Sequence, residues 1–391
     1  MTLEAAERGG ENGIVSLTVC PYRARAWRDD RLVADSTSAL RDEGADRAPV
    51  LWFPVADVHG DLLDDGAALT RGAGELDGFV AFDAERVRIE LVNSADRAAD
   101  HPIVRFPNWG DAADLIDMID VRSIGDGRYV SVPRADWRRP VVEGSQMLGQ
   151  MVVAAMRETG GRRAVSASIV LIRAADARAP LTFVLDVLSH GRTFSTVSAR
   201  VEQNDRVCAA GTLLLDSVAP EVIHHEVDVP DVPSPADTPC HDMGVTGRDL
   251  RIVDAAYTGD PNAPVGPPEL DAWVRFAEVP DDPAIHAGLL AQFTGHLSIG
   301  AALRAHDGVG EQQAHVTLST GINAISISFH RDVRADEWML YHHLSTSASD
   351  GMTHSECRVH DLDGELLASF TVDAMVRAFS GTTTGDYRSA M

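Results

Sequence analysis

Four runs of alternating apolar and polar residues follow one another at Ala164–Arg173, Leu181–Ser189, Thr193–Glu202 and Cys208–Leu215. A two-residue period predicts strands with one buried face. Ahead of them, Met147, Leu148, Met151, Val152 and Ala155 gather near one face of a predicted helix, which Gly160-Gly161 stops. The same order returns later in the chain. Asp281-Asp282-Pro283 places acid at a helix start and proline at an early position, and Ile285, Leu289, Phe293 and Leu297 then recur every four residues. Strands are predicted behind this helix at Ala314–His330, Glu337–Ser345, Thr353–Asp361 and Glu365–Ala378. One constant offset lays Ser189 on Ser347, Arg200-Val201 on Arg358-Val359, Asp205 on Asp363 and Ala210 on Ala368. Two copies of a helix-plus-sheet unit point to duplication, and the interface between copies is a place where a site can be built.

The first region reads as β-rich. Tyr22–Trp27, a turn at Asp29-Asp30 and Arg31–Asp35 predict a hairpin. Val50–Val55 predicts another strand, Gly78–Phe82 with Arg86–Val92 a second hairpin, and Trp109–Ile119 a short helix with Asp111 near its start. Residues 217–267 hold Pro220, Pro230, Pro233, Pro235 and Pro239 among acidic residues, the composition of a semi-rigid linker, with one strand at Leu250–Tyr257. The expected division is 14–135, 137–216, 217–267, 268–379 and a disordered tail at 380–391.

Charge narrows the function. The 391 residues include 34 basic and 59 acidic ones, a net charge of −25. Such a surface repels nucleic acid and anionic membranes, so neither is expected as a partner. Every basic residue is arginine, which rules out a lysine Schiff base and a phosphate-loop lysine. No apolar run is long enough to span a bilayer, and the acidic, polar start does not read as a signal peptide. Cys20, Cys208, Cys240 and Cys357 lack metal-binding spacing and read as thiols of a reducing cytoplasm. His224-His225 lack further ligands, so no metal and no cofactor is expected. His342 and His343 adjoin on a strand and point to opposite faces.

Several stretches carry a resemblance. Val142-Glu143-Gly144-Ser145-Gln146-Met147-Leu148-Gly149-Gln150 looks like a helix entry, and His190-Gly191-Arg192-Thr193-Phe194-Ser195-Thr196 like a strand pair. Phe329-His330-Arg331, Asp336-Glu337-Trp338-Met339-Leu340-Tyr341 and Ser345-Thr346-Ser347-Ala348-Ser349 continue the likeness. Residues 137–379 thereby resemble the double hot-dog acyl-CoA thioesterases of the type II bacterial and peroxisomal kind. The fold expected is α+β: a tandem hot-dog, each half a long helix wrapped by an antiparallel sheet, behind an N-terminal β-rich domain. Arg31–Ser36, Trp52-Phe53-Pro54, Asp57-Val58 and Asp61-Leu62-Leu63 resemble a small bacterial β domain of unknown function, filed as nucleotidyltransferase-like. The Cys-Pro-Tyr-Lys-Gly segment of that domain is absent after Leu63. Family likeness also implies a homodimer or larger homo-oligomer.

The resemblance implies three catalytic roles: an Asp on the second helix, a Thr on the next strand and a Gln on the last. Together they orient one water for attack on a thioester. Those roles fall on Gly295, Ile322 and Val372, whose side chains neither give nor accept a proton. Polar neighbours stand beside each: His296, Asn323, Thr371 and Asp373. Apolar positions switch phase after Ala324, which predicts a β-bulge able to re-aim Asn323 toward the helix. Two readings follow. His296 is a general base with Asn323 and Asp373 orienting it or the water, or His296 packs with Phe293, Gly300 and Leu303 and the other two are ordinary strand residues. Glu143, just before a helix, is either a further catalytic acid or an exposed carboxylate that suits the helix dipole. Gly144, Ser145, Gln146, Gly295 and Thr371 are the expected substrate contacts.

The function expected is an acyl-thioester hydrolase acting on acyl-CoA or an acyl-carrier thioester through a non-standard site. The alternatives are a non-hydrolytic binder of acyl thioesters or a hydrophobic metabolite, a scaffold subunit, and a hot-dog turned to dehydration or cyclisation. Fold cannot separate these, because chemistry resides in the site.

Overall fold

The computed structural model describes residues 16–19, 23–29, 31–43, 50–60, 63, 69–83, 86–92, 112–133, 141–238, 247–255, 263–314 and 317–378. The acidic start, Cys20, Asp111, Pro239, Cys240 and the tail from 380 lie outside them.

Eight short strands come first: β1 (Ser16–Val19), β2 (Arg23–Arg28), β3 (Arg31–Ser36), β4 (Leu40–Glu43), β5 (Val50–Pro54), β6 (Leu69–Arg71), β7 (Phe79–Phe82) and β8 (Arg88–Val92). They form a five-stranded sheet, β1-β4-β5-β7-β6, and a three-stranded one, β3-β2-β8. The β2–β3 hairpin turns at Asp29, whose φ of 48° is the left-handed turn conformation an aspartate tolerates. The expected β7–β8 hairpin does not form. β7 pairs with β5 and β6, while β8 pairs with β2. Proximity in sequence loses here to distant partners.

Next come α1 (Ala112–Ile119), β9 (Val121–Gly125), β10 (Arg128–Ser131), α2 (Gly144–Glu158), β11 (Arg163–Leu171), β12 (Thr182–His190), β13 (Phe194–Gln203) and β14 (Arg206–Asp216). The second half contributes β15 (Arg248–Ile252), β16 (Glu269–Phe276), α3 (Pro283–Phe293), α4 (Ser298–Arg304), β17 (Leu318–Phe329), β18 (Met339–Ser349), β19 (Met352–His360) and β20 (Leu366–Ala378). Their strands make one sheet of 12, ordered β15-β16-β18-β19-β20-β17-β11-β14-β13-β12-β10-β9. The seam is β11 against β17, paired from Ser166↔Ser328 to Val170↔Ala324. Outward from the seam both halves run in the same order, so the repeat in sequence is a repeat in topology. Even a bulge repeats: register slips between Val187 and Ser189 in one half and between Ser345 and Ser347 in the other. Those positions coincide under the sequence offset.

Three expectations change. The hairpin β9–β10, expected on the N-terminal side of a border near residue 135, joins the large sheet through β10–β12. β16 lies in a stretch for which no strand was expected, and it pairs along β18. The second helix is not continuous to Leu297. It stops at Phe293 and resumes as α4 at Ser298, with Leu297 at φ 68°. Thr294 Oγ1 donates to the Ala291 carbonyl at 2.6 Å, and His296 N–H donates to Phe293 O at 3.0 Å. These bonds satisfy the interrupted helix end with a turn.

The helices lie on the apolar face of this sheet. Met151, Val152, Leu289, Leu290 and Phe293 are fully buried. α2 meets α3 closely because a glycine sits on each side: a Cβ on Gly149 would stand 2.5 Å from the Gly288 carbonyl oxygen. No described helix is long and apolar enough to cross a membrane.

Candidate active site

The start of α2 faces the break between α3 and α4. Glu143 occupies the N-cap position of α2 but its carboxylate caps no backbone amide. Met147 N–H bonds to Glu143 O, which leaves the N–H groups of Gly144, Ser145 and Gln146 ahead of the helical ladder. A Cβ on Gly144 would stand 2.1 Å from Leu171 Cδ1, so any larger residue there needs the Leu171 side chain to swing aside. Glu143 Oε2 accepts a hydrogen bond from Gln292 Nε2 at 3.3 Å and lies 3.9 Å from His296 Nε2. Two polar side chains thus converge on one oxygen of the Glu143 carboxylate. Glu143 is 43% exposed and marks the mouth, whereas His296 is 17% exposed.

His296 lies flat on Phe293, with ring centroids 4.7 Å apart and planes 2° from parallel. Its Nδ1 is buried without a partner, as is Gln292 Oε1. Burial lowers the His296 pKa to about 4; Glu143 opposes the shift and Arg248 reinforces it. The ring is therefore neutral at neutral pH and can accept a proton or a hydrogen bond. Arg248 stacks over the same Phe293 ring at 4.8 Å and is only 8% exposed. Burial lowers its pKa to about 10, with Glu143 opposing. Behind Phe293, Tyr341 meets the ring edge-on at 4.9 Å and donates its hydroxyl to Leu290 O at 3.2 Å.

The buried histidines set a pH dependence of stability. In His343, which contacts Ser298 and Cys357, burial lowers the pKa to about 3. An unfolded histidine takes up its proton near pH 6.5, while these two folded ones resist until about 4 and 3. Between those limits the unfolded chain binds more protons, so stability falls as pH falls. Thermal melts from pH 8 to pH 4 should show a Tm that is level above about 6.5 and declines steadily below it. His296→Gln should soften the decline.

Gly295, Ile322 and Val372, the positions expected for the family's Asp, Thr and Gln, are closed. Gly295 faces Ser145 across the site: a Cβ on Gly295 would stand 2.6 Å from Ser145 Cβ and 3.2 Å from Ile322 Cδ1. Ser145 is buried to 1%. Val372 is also buried, among the core residues beneath the helices. The expected bulge in β17 exists, between Ile322 and Ala324, but it sends Asn323 the other way. Ile322 packs toward the core and Asn323 is exposed, so it does not meet His296. Asp373 likewise leaves the set: its carboxylate holds His354 Nδ1 at 2.6 Å on the face away from the helices. Thr371, an expected substrate contact, lies on that outer face as well. It lines a cavity of about 590 Å³ with Ser166, Ser168, Thr212, Ser326 and Ser369. No member of the Glu143–His296 cluster lines that cavity.

The structure thus brings together Glu143, Gly144, Ser145, Gly295 and His296, and separates Asn323, Thr371 and Asp373 from them. Gln146 is buried in the first turn of α2. Two functional candidates were missed in the sequence. Gln292 is an amide inside the apolar run Leu289-Leu290-Ala291-Gln292-Phe293, and a polar residue on a wholly buried helix was the signal that could have exposed it. Arg248 left no local signal, since only the tertiary fold carries it to Phe293. His342 and His343 do face opposite ways: His342 bonds Asp271 at 2.8 Å and His343 is buried. Among the described residues no group of three or more His, Cys, Asp or Glu side chains is arranged to hold a metal ion; His224 contacts Glu221 and Glu226.

Comparison with known proteins fits this architecture. The profile of the acyl-CoA thioesterase N-terminal domain matches residues 133–215, and that of the acyl-CoA thioesterase C-terminal domain matches residues 226–376. Acyl-coenzyme A thioesterase 8 of Mus musculus is 24% identical over 287 residues, 64% of this chain and 83% of the relative. The Homo sapiens protein of the same name is 24% identical over 273 residues, 60% of this chain and 80% of its own. Among solved structures, acyl-CoA thioesterase II TesB2 of Mycobacterium marinum superposes with a TM-score of 0.58 at 24% identity, over 69% of this chain and 99% of that one. A hot-dog protein of unknown function from Alicyclobacillus acidocaldarius reaches 0.56 at 19% identity, over 68% and 98%. These structural likenesses are likenesses of fold.

Proposed function

Because the chain belongs to the acyl-CoA thioesterase family over residues 133–215 and 226–376, more than half its length, we propose that it hydrolyses acyl thioesters from a relocated site. Each helix-on-sheet half reads as a hot-dog and the pair as a double hot-dog, with the N-terminal strands outside the chemistry. The observation that carries the reading is the meeting of Glu143, Gln292 and His296 at the free N–H groups of α2. In the family the water is held by an Asp, a Thr and a Gln. Here those positions are Gly295, Ile322 and Val372, and the polar groups stand on the other side of the same gap.

The chemistry follows from the geometry. Glu143 Oε2 and His296 Nε2 are 3.9 Å apart, too far for a direct hydrogen bond and near enough for one water to bridge them. Glu143 takes the proton as the water oxygen bonds to the thioester carbon. The developing oxyanion lies at the α2 start, where unpaired N–H groups and the helix dipole favour negative charge. Collapse breaks the carbon–sulfur bond, and the thiolate leaves with the proton Glu143 had accepted. Gln292 holds the carboxylate in place, and Phe293 fixes the plane of His296. The acyl-CoA or acyl-carrier substrate enters with its acyl group toward the buried aromatic layer.

The closed space at Gly295 favours a second reading, a binder of acyl thioesters that does not turn them over. A panel of acyl-CoA esters of increasing chain length separates the two. Thiol release well above the uncatalysed rate supports hydrolysis. Thermal stabilisation by the same esters without thiol release supports the binder, and neither response removes acyl thioesters as ligands.

A further inference from the structure

The sheet face turned away from the helices carries a feature that thioester hydrolysis does not use. Strand register sets two rows of side chains across the seam between the halves. One row runs Arg358, Ser369, Ser328 and Ser166, on β19, β20, β17 and β11. The next runs Glu356, Thr371, Ser326, Ser168 and Thr212, and ends on β14. Both rows line the cavity of about 590 Å³. Neighbours within a row stand about 4.8 Å apart, and the rows about 6.6 Å from each other. Strands favour β-branched and aromatic residues, so local propensity does not account for this run of serines. Their short side chains form the floor of a trough, with Arg358 and Glu356 at one end.

Each row is thus headed by a charge that lacks a partner. Among the described residues neither Arg358 nor Glu356 makes a hydrogen bond or an ion pair, with each other or with a third group. Arg331, just past the end of β17, shows the contrast: it pairs with Glu226 and Glu365 at 3.3 Å each. In a chain with 59 acidic residues, a guanidinium left open beside a polar trough is available to a ligand. Ser369 Oγ meets His330 Nε2 at 2.9 Å, and Ser168 Oγ meets Thr212 Oγ1 at 3.1 Å. The hydroxyls of Ser166, Ser326, Ser328 and Thr371 have no partner among the described residues.

These groups select a ligand by chemistry. A guanidinium takes a phosphate through two parallel N–H bonds, and a hydroxyl both donates and accepts. A carboxylate accepts from hydroxyls of a ligand but repels its phosphate, and Glu356 stands one row away from Arg358. A nucleobase finds no ring to stack on, because Phe370, the one aromatic residue of the lining, is 3% exposed. The net charge of −25 disfavours a bare anion, so the body of the ligand must add contacts of its own. We infer that the trough binds a phosphorylated sugar or polyol, its phosphate on Arg358 and Ser369 and its hydroxyls on Glu356 and the serine rows. No member of the Glu143–His296 cluster lines this cavity, so the hydrolase stands or falls separately.

The test is calorimetric titration of the full chain with glycerol phosphate, ribose phosphate and glucose phosphate, beside glucose and inorganic phosphate. At least one phosphorylated polyol should bind about tenfold or more tightly than either glucose or inorganic phosphate. Arg358→Met should weaken that binding by about tenfold or more. Ser326→Trp, at an exposed position, should fill the trough and remove the binding while the Tm stays near that of wild type. Either variant decides the matter if the other does not fold. Inorganic phosphate bound as tightly as the phosphorylated polyols overturns the inference, as does binding that survives both substitutions. No binding by any of the three at about 10 mM overturns it too. So does a dimer that Ser326→Trp disperses, which makes the trough a contact between two copies of the chain.

Discussion

Replacing Glu143 with glutamine lowers kcat for acyl-CoA hydrolysis by on the order of a hundred- to a thousandfold. The substitution keeps the shape and removes the one ionisable oxygen among the described residues that meets both Gln292 and His296. Nothing else in the gap takes over. Neutral His296 is a weak base, its pKa lowered by burial to about 4. Gly295, Ile322 and Val372 cannot accept a proton at all. Stability should be almost unchanged, because the Glu143 side chain is 43% exposed and caps no amide of α2. Steady-state thiol release, read beside a thermal melt of the same sample, checks both halves. A Glu143→Gln protein with wild-type kcat removes Glu143 from the chemistry.

Placing an acid at Gly295, where the family resemblance puts the catalytic Asp, by Gly295→Asp does the opposite of repair. The new Cβ would stand 2.6 Å from Ser145 Cβ, and turning the Ser145 hydroxyl away does not move that carbon. The backbone of α2 or of the α3–α4 turn must shift, in a gap where Ser145 is 1% exposed. Overpacking of this kind costs about 1–3 kcal/mol, and a carboxylate forced into the gap adds to it. The expected result is a loss of about 3 kcal/mol or more in denaturant unfolding, with hydrolysis reduced rather than raised. Pairing the change with Ser145→Gly opens the space and should recover part of the stability. Gain of activity by Gly295→Asp alone means that the family position is open and that the water is held there.

What the sequence made legible was local or periodic. The eight strands that follow the two helices announced themselves by period-two alternation, and the bulge at Asn323 by a change of phase. The helix start at Pro283 followed from capping chemistry, and the helix behind Gly144 from its apolar face. Failures began where distant partners decide. β8 left its sequence neighbour for β2, and β9–β10 crossed an expected border to pair with β12. The helix break after Phe293 was invisible, because apolar residues continue through Leu297 at the same spacing. A bulge foreseen from phase did not give its direction, and Asn323 turned outward. Asp373 was drawn to His354, a partner on the neighbouring strand. The residues that make the gap unusual, Gln292 and Arg248, act through contacts with residues far away in sequence.

The most direct measurement is a structure with an uncleavable acyl-CoA analogue, its thioester replaced by a ketone. The account predicts the carbonyl oxygen within hydrogen-bond distance of the Ser145 or Gln146 N–H and the carbonyl carbon facing Glu143, with His296 on the water side. An analogue seated in the outer cavity beside Thr371, or one whose carbonyl turns away from the start of α2, contradicts it.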